Sequence, residues 1–149
     1  MNVSTRYTVA LHILTLLASG AGDGHPMTSE YIAGSVNTNP VVIRRLLGRL
    51  RAAGLVGARP GVGGGWVLRQ AAEKITLDVV RAAMEEGAPF SMHAQAPNPR
   101  CPVGKNIQRV LDVIFTDAEQ AMCESLSRST IEGLLAAIRK CGDDRGNDL

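Results

Sequence analysis

The cysteine at position 101 is the side chain of this sequence best suited to do chemistry. Cys101 precedes Pro102 at the predicted start of a long helix, and Arg100 and Lys105 lie nearby in the sequence. A helix N-terminus and nearby cations favour the thiolate, which is the form that oxidants attack. We expect either a thiol switch, in which oxidised Cys101 pairs with Cys141 of a second subunit, or a helix-capping residue without a redox role.

The other residue types that commonly act in catalysis do not occur in a catalytic motif. His12, His25 and His93 fall in one predicted helix and two predicted loops, without a paired carboxylate or a nucleophile motif. The glycine run at positions 61–65 lacks the lysine followed by serine or threonine that completes a phosphate-binding loop. We therefore expect a protein that is not an enzyme.

Length and composition indicate one small globular module. The chain has 149 residues, of which 45% are hydrophobic, 20% are charged and only 3% are aromatic, so an aliphatic and mainly helical core is expected. The longest apolar stretch, positions 9–18, falls short of the roughly 20 residues of a membrane span. No signal peptide and no disulfide framework are evident, which favours a cytoplasmic protein without a membrane partner.

Charge is distributed unevenly along the chain. Residues 1–70 carry seven basic and two acidic side chains, whereas residues 71–149 carry nine basic and twelve acidic ones, so the halves have net charges of +5 and −3. No acid occurs from Thr38 to Gln70, which predicts a surface for a polyanion, with an ordinary solvated face as the alternative. That stretch contains six arginines: Arg44, Arg45, Arg49, Arg51, Arg59 and Arg69.

The first half of the chain has the element order of a winged helix-turn-helix. Apolar spacing predicts a first helix over residues 2–18, and Thr28 or Ser29 begins a short second helix with Tyr31, Ile32 and Val36 as apolar points. Asn39 and Pro40 begin a third helix that Gly54 ends. Two short strands, 55–59 and 66–69, flank the glycine loop. The apolar stripe of the third helix is Ile43, Leu46, Leu47 and Leu50.

The second half is predicted to be helical. Thr76 caps a helix over residues 77–86 that buries Val79, Val80, Ala83 and Met84, and a loop over 87–99 follows. The long helix from Cys101 repeats apolar residues about every seven positions, from Ile107 to Leu126, which calls for a second subunit. A capping box at 129–132 opens the last helix, and residues 143–149 should fray. The fold expected is mainly α with a small β-hairpin: a winged helix-turn-helix DNA-binding domain over 1–75 and a helical dimerisation and sensing region over 76–149.

The stretch from Arg45 to Val56, followed by the glycine run and Trp66, resembles the Rrf-two family of bacterial winged-helix transcription regulators. That family includes an iron-sulfur cluster regulator, a nitric-oxide-sensing repressor and a cysteine-metabolism repressor. The similarity spans nearly the whole chain and implies a homodimer that binds double-stranded DNA at a palindromic operator, usually as a repressor. In the wing, Pro60 separates the basic Arg59 from Gly61, where the family usually has no intervening residue.

Cysteine spacing departs from the cluster-binding members, which place three cysteines close together before the long helix. Only Cys101 stands there, and Cys123 and Cys141 follow 22 and 18 positions further on, with Cys123 expected in the core. The resemblance is therefore to the subgroup without a cluster, and no cofactor or metal is expected, although a cluster shared with His93 or a second subunit stays open. His93 and the segment 97–102 line the region that receives the signal in the family, so the effector is an oxidant or a small molecule.

The third helix and the wing are expected to read DNA, the helix in the major groove. One of Val41 and Val42 is expected to pack in the core instead of contacting DNA. For the glycine tip, the alternative to a DNA contact is a flexible turn that touches nothing. The function expected is a sequence-specific DNA-binding regulator controlled through Cys101. The alternatives are a small-molecule-responsive repressor without a thiol switch and a winged-helix protein-interaction module. The predicted DNA contacts are Ser29, Thr38, Asn39, Pro40, Val41, Val42, Arg44, Arg45, Arg49, Arg59, Gly61, Gly63, Gly64 and Gly65.

Overall fold

Six α-helices and one two-stranded antiparallel sheet make up the part of the chain that the computed structural model describes, residues 3–20 and 24–143. The predicted end of the first helix at 20–24 and the predicted fraying beyond 143 fall largely outside those residues. The elements are α1 Val3–Gly20, α2 Ser29–Val36, α3 Pro40–Ala52, β1 Val56–Arg59, β2 Gly65–Leu68, a 3-10 turn at Ala72–Lys74, α4 Leu77–Ala83, α5 Pro102–Ser127 and α6 Ile131–Asp143.

The helix starts of the first half follow the capping residues in the sequence. Thr28 Oγ1 accepts a hydrogen bond of 3.2 Å from the N–H of Tyr31, and Asn39 Oδ1 accepts one of 2.9 Å from the N–H of Val41. Pro40 occupies the first turn of α3, where its missing N–H costs nothing. Gly54 follows α3 with a φ of +74°, as expected of a glycine after a helix end.

The core is aliphatic, and α3 contributes the stripe predicted from its spacing, all four residues of which are buried. The prediction that Tyr31 is one of the apolar packing residues of α2 is wrong, because its side chain is 61% exposed. From the far end of the chain, Ile131 and Leu135 of α6 join the same core. The core is therefore continuous across the predicted boundary at residue 75, and the division of labour between the two regions stays a prediction.

The wing hairpin is anchored to the rest of the fold by a backbone bridge. Arg59 pairs with Gly65 in the β1–β2 register, so Gly65 belongs to the strand and not to the predicted loop. Met27 and Trp66 exchange two backbone hydrogen bonds of 3.0 and 2.8 Å, which add a one-residue third strand. The sequence did not predict this bridge.

The end of α4 lies earlier than predicted. The helix stops at Ala83, and Glu85 has a φ of +52°, which ends the helical path. Leu77, Val80 and Met84 are buried, whereas Val79 is 43% exposed and its predicted burial is wrong. The predicted cap on Thr76 is also wrong, because its side chain makes no capping bond.

Helix α5 begins where the sequence places it, whereas α6 begins one residue later than the predicted capping box implies. Thr130 caps α6 by accepting a hydrogen bond of 3.0 Å from the N–H of Gly133, in place of the predicted Ser129. The 26-residue α5 has no buried residue, and Val103, Val110 and Val113 are more than half exposed. Across the described ranges, no helix combines the length and apolar character needed to cross a membrane.

Candidate nucleic-acid interface

The exposed face of α3 begins with two valines that have different surroundings. Val41 is 51% exposed, whereas Val42 is half-buried and packs against the core. Helix α3 follows α2 through a short turn in which Asn37 adopts a left-handed conformation and the N–H of Thr38 donates to the carbonyl of Ala33 at 3.0 Å. The turn fixes the N-terminus of α3, and it leaves Val41 as the valine that is free to contact a partner.

Arg44 lies on the exposed face of α3 and pairs with a carboxylate. Its guanidinium donates to Glu30 of α2, and both side chains are more than half exposed. The backbone N–H of Glu30, at the N-terminus of α2, and then Arg44 hold the pKa of the Glu30 carboxyl below its usual value. The pair joins α2 to α3 at the surface and neutralises one of the basic groups.

Arg45 is the uncommitted cation in the first half of α3. Within residues 3–20 and 24–143 its guanidinium makes no ion pair and no side-chain hydrogen bond, and it is exposed. Arg51, near the end of α3, is equally exposed and equally unpaired there. Arg51 was absent from the predicted contact set, although its place in the arginine run is the signal that would have included it.

Arg49 has an intramolecular partner. Its Nη1 donates a hydrogen bond of 3.0 Å to the carbonyl of Met84 and lies 3.5 Å from a carboxylate oxygen of Glu85. The guanidinium is therefore held against the end of α4 and is only about one-third exposed. Its predicted contact with DNA stays a prediction.

Ser29 is 7% exposed, so its side chain faces the interior at the start of α2. Thr28, which precedes it, is the exposed residue and the N-cap of the helix. Burial leaves Ser29 the weakest member of the predicted set, since a DNA contact would need its hydroxyl group or its N–H to reach the surface. The sequence signal for a cap fitted both residues equally.

The wing tip is a closed turn. The N–H of Gly64 donates to the carbonyl of Gly61 at 3.0 Å, and Gly63 has a φ of +74°, which is the geometry of a type II turn with Val62 and Gly63 at its centre. A Cβ on Gly64 would collide with the carbonyl oxygen of Arg59, so glycine is required there. The glycine tip is thus a hydrogen-bonded turn, and its contact with DNA stays a prediction.

Arg59 stands at the base of this turn and is exposed. Its Nη1 donates a hydrogen bond of 3.1 Å to the carbonyl of Gly24, in the segment that leads to α2. A Cβ on Gly65 would lie 2.6 Å from the carbonyl oxygen of Met27. The wing is consequently held close to the chain before α2 at two points, one at Arg59 and one at Gly65 and Trp66.

The second half of the chain places Cys101 at the N-terminus of α5. The N–H of Cys101 donates to the carbonyl of Asn98 at 3.2 Å, and its side chain is exposed. The backbone N–H groups of Gly104 and then Val103 lower the pKa of the thiol, although neither completes a capping hydrogen bond to the sulfur. The predicted position of Cys101 is confirmed, and the geometry favours the thiolate.

His93 lies in the loop before α5 and Cys141 lies in α6, and both are exposed. His93 lines an open cleft together with Met92, Leu111 and Phe115 of the loop and α5. The ring of Phe115 stacks on Phe90 with a centroid distance of 4.8 Å, which fastens the loop to α5. Cys141 lies near the end of α6.

Sequence and structure comparisons identify the family. The family model described as an iron-dependent transcriptional regulator, Rrf2, matches residues 3–137. The chain belongs to the Rrf2 family. YwnA of Bacillus subtilis (strain 168), which carries the name of an HTH-type transcriptional regulator, is 38% identical over 133 residues, covering 89% of this chain and 96% of YwnA. Transcriptional regulators of this kind are not enzymes, as expected from the sequence.

Solved structures of similar proteins share the fold. A crystal structure of a protein designated DNA-binding has 35% identity and a TM-score of 0.69, and the match covers 87% of this chain and 98% of that one. CymR, the global cysteine regulator of B. subtilis, has 26% identity and a TM-score of 0.68, with 92% and 98% covered. The mainly helical fold with a small hairpin is thereby confirmed, and DNA binding is a property of the family.

Iron ligation in this Rrf2 protein is limited by where its cysteines lie. Cys101 immediately precedes α5 and Cys123 lies within it 22 residues further on, which separates them by about 33 Å along the helix axis at about 1.5 Å per residue. Cys123 is half-buried instead of enclosed in the core as predicted. No group of three or more histidine, cysteine or carboxylate side chains is placed to hold a metal among the described residues. The cysteines present therefore do not fit a three-cysteine cluster within one protomer.

Proposed function

We propose that this Rrf2 protein is a homodimeric repressor that binds a palindromic operator and is controlled by oxidation of Cys101. The observation that carries the DNA-binding part is the exposed N-terminal half of α3, where Val41 and the unpaired Arg45 stand together. Residues 31–72 contain no acidic side chain, and the Glu30 carboxylate beside this surface is paired with Arg44, which favours approach of a phosphate backbone. Base edges in the major groove and phosphates on its rim are the groups that such a surface recognises.

The homodimer is supported by α5. A 26-residue helix without a buried residue, but with Val110, Val113 and Ile114 exposed, presents more apolar surface than one protomer covers. Pairing of this helix with its copy would bury that surface. The two α3 helices would then read half-sites about 34 Å apart, which is one turn of B-DNA.

The thiol switch is supported by exposure and by the lowered pKa of Cys101. In the proposed switch, Cys101 and the partner subunit's Cys141 give two electrons and two protons to an added oxidant and form one S–S bond. With diamide as the oxidant, the azo group takes up these electrons and protons and becomes a hydrazine. The disulfide would displace α5 and α6 and move the two α3 helices out of register.

A small-molecule effector is the second candidate, favoured by the cleft between the 87–99 loop and α5. Phe90, Met92 and Phe115 form its apolar part, and Asp112, Thr116 and Glu119 contribute polar groups. Its volume of about 230 Å³ is below the roughly 300–1,000 Å³ of typical ligand pockets, which restricts the effector to a very small molecule. The remaining parts of the proposal are a cytoplasmic location, the absence of an iron-sulfur cofactor, and the assignment of residues 1–75 to DNA and 76–149 to dimerisation and sensing.

The test is DNA binding before and after oxidation. Fluorescence anisotropy would measure binding to DNA from the protein's own upstream region, with the parent, Cys101→Ser and Cys141→Ser, each with and without diamide. Specific binding that oxidation abolishes in the parent but not in either variant supports the proposal. Binding that ignores diamide overturns the thiol switch and favours the small-molecule effector. No specific binding at any salt concentration overturns the DNA-binding proposal and favours a protein-interaction module.

A further inference from the structure

The tip of the wing carries a single side chain. Among positions 61–65, every residue except Val62 is glycine, and Val62 is fully exposed. Behind the tip, Trp66 and Leu68 of β2 are half-buried and pack against the core. An exposed apolar residue is common on protein surfaces, so exposure alone assigns no role to Val62.

The second observation is that Val62 lies in a turn closed by a backbone hydrogen bond. Val62 and Gly63 are the central residues of the type II turn closed by Gly64, and the hairpin behind them is held by Arg59 and by the Met27 bridge. Valine is branched at Cβ and has few rotamers, so it loses little side-chain freedom when it is covered. The wing therefore presents one apolar group on a hydrogen-bonded hairpin.

The third observation is the shape and charge of the tip. The minor groove of B-DNA is only about 6 Å wide, which favours entry of a tip made of glycines and one small side chain. Arg59, at the base of the tip, is exposed, and no acidic side chain lies between residues 31 and 72. The tip therefore brings a basic side chain and no acidic side chain of its own to the phosphates.

We propose that Val62 enters the minor groove of bound DNA and selects A·T over G·C at the base pair it touches. The inference rests on the proposed DNA binding. In the minor groove, G·C carries the 2-amino group of guanine, whereas A·T presents acceptors only. A valine over that amino group would exclude water without offering an acceptor, so the donor would be left unpaired. Over A·T, the same side chain meets no protruding donor.

The experiment changes one functional group on the DNA. An operator would be selected from random DNA with the full-length protein, and each A·T pair would then be replaced in turn by G·C and by inosine·C. Inosine lacks the 2-amino group but keeps the other groups of guanine. At one pair in each half-site, we expect G·C to weaken binding about tenfold and inosine·C to restore it to within about twofold, as measured by anisotropy at constant salt.

Two variants assign this effect to Val62. Val62→Gly removes the side chain, and Val62→Thr keeps its shape but adds a hydroxyl oxygen that can accept from the guanine amino group. Both should reduce the G·C penalty to less than about threefold, and thermal midpoints close to that of the parent would verify that both variants fold. A penalty that persists in both variants, or inosine·C as weak as G·C, overturns the inference while leaving DNA binding intact. If no operator sequence can be selected, the proposed function itself fails.

Discussion

Arg49 of α3 donates a hydrogen bond of 3.0 Å to the backbone carbonyl of Met84 at the end of α4. The side chain of Met84 is fully buried, and the chain leaves this point for the loop that leads to α5. The helix proposed to read DNA is thus bonded directly to the start of the proposed sensing region. A displacement of the end of α4 would change the position of α3 or break this hydrogen bond.

Loss of this bond should destabilise the protein. Arg49→Ala leaves the Met84 carbonyl without its charged donor, and we expect a free energy of unfolding lower by about 1–2 kcal/mol. Urea denaturation followed by circular dichroism would measure it. Arg51→Ala is the matched control, because that exposed arginine lacks a partner among the described residues and should change stability by less than about 0.5 kcal/mol. Equal effects of the two substitutions would contradict the structural role of Arg49.

Replacement of Arg45 should weaken DNA binding without destabilising the fold. Arg45→Ala removes an uncommitted cation, so stability should stay within about 0.5 kcal/mol of the parent while DNA affinity falls. If the arginine binds a phosphate, the slope of log affinity against log salt should become shallower by about one. The matched control is Arg128→Ala, at the end of α5, which should leave both affinity and slope unchanged. An unchanged slope in Arg45→Ala would remove Arg45 from the phosphate contacts.

Tyr7 offers a prediction on pH. Its hydroxyl donates to the carbonyl of Leu77 at 2.7 Å, and burial raises the pKa of the phenol above its usual value. The neutral phenol is thus favoured in the folded state, so this contribution to stability is complete below about pH 10 and is lost as the pH rises through the folded pKa. At pH 7, Tyr7→Phe should lose about 1 kcal/mol.

The difference between the parent and Tyr7→Phe should therefore shrink above about pH 10. Urea titrations of both proteins at pH 7 and at pH 10.5 would measure it, and the comparison cancels the titration of other groups. A difference that stays constant over this range would show that Tyr7 does not favour its neutral form on folding.

Local and periodic signals predicted the helix starts and the core stripe, but not the contacts between distant segments. Asn39 and Pro40 could be assigned because a cap and an N-terminal proline act within one turn of helix. The hydrogen bonds from Arg49 to Met84 and between Met27 and Trp66 join residues more than 30 positions apart. An arginine side chain and backbone N–H groups occur throughout a sequence, so nothing near either residue indicates its partner. The failure at Val79 has a different cause, since two turns of helix are too few for periodicity to define the buried face.

The pKa of the Cys101 thiol should be lower in the folded protein than in the unfolded chain. In a variant that keeps only this cysteine, Cys123→Ser with Cys141→Ser, the rate of iodoacetamide alkylation reports the thiolate fraction. Because the pKa of Cys101 is lowered, the pH midpoint of alkylation should be lower in the folded protein than in urea. The associated stability is present above the unfolded pKa and is lost as the pH falls through the folded pKa. Coincident midpoints would contradict thiolate stabilisation by the start of α5.

The place of α6 in the core has a consequence for synthesis of the chain. Ile131 and Leu135 fill the interior beside α1, although they follow α5 in the sequence. A ribosome releases residues in order. The core formed by α1, α3 and the wing is therefore complete only after almost the entire polypeptide has been synthesised. A product terminated within α5 would lack both that closure and a complete pairing helix. Incomplete chains should therefore be cleared by proteases, and they should not compete with the finished protein for DNA.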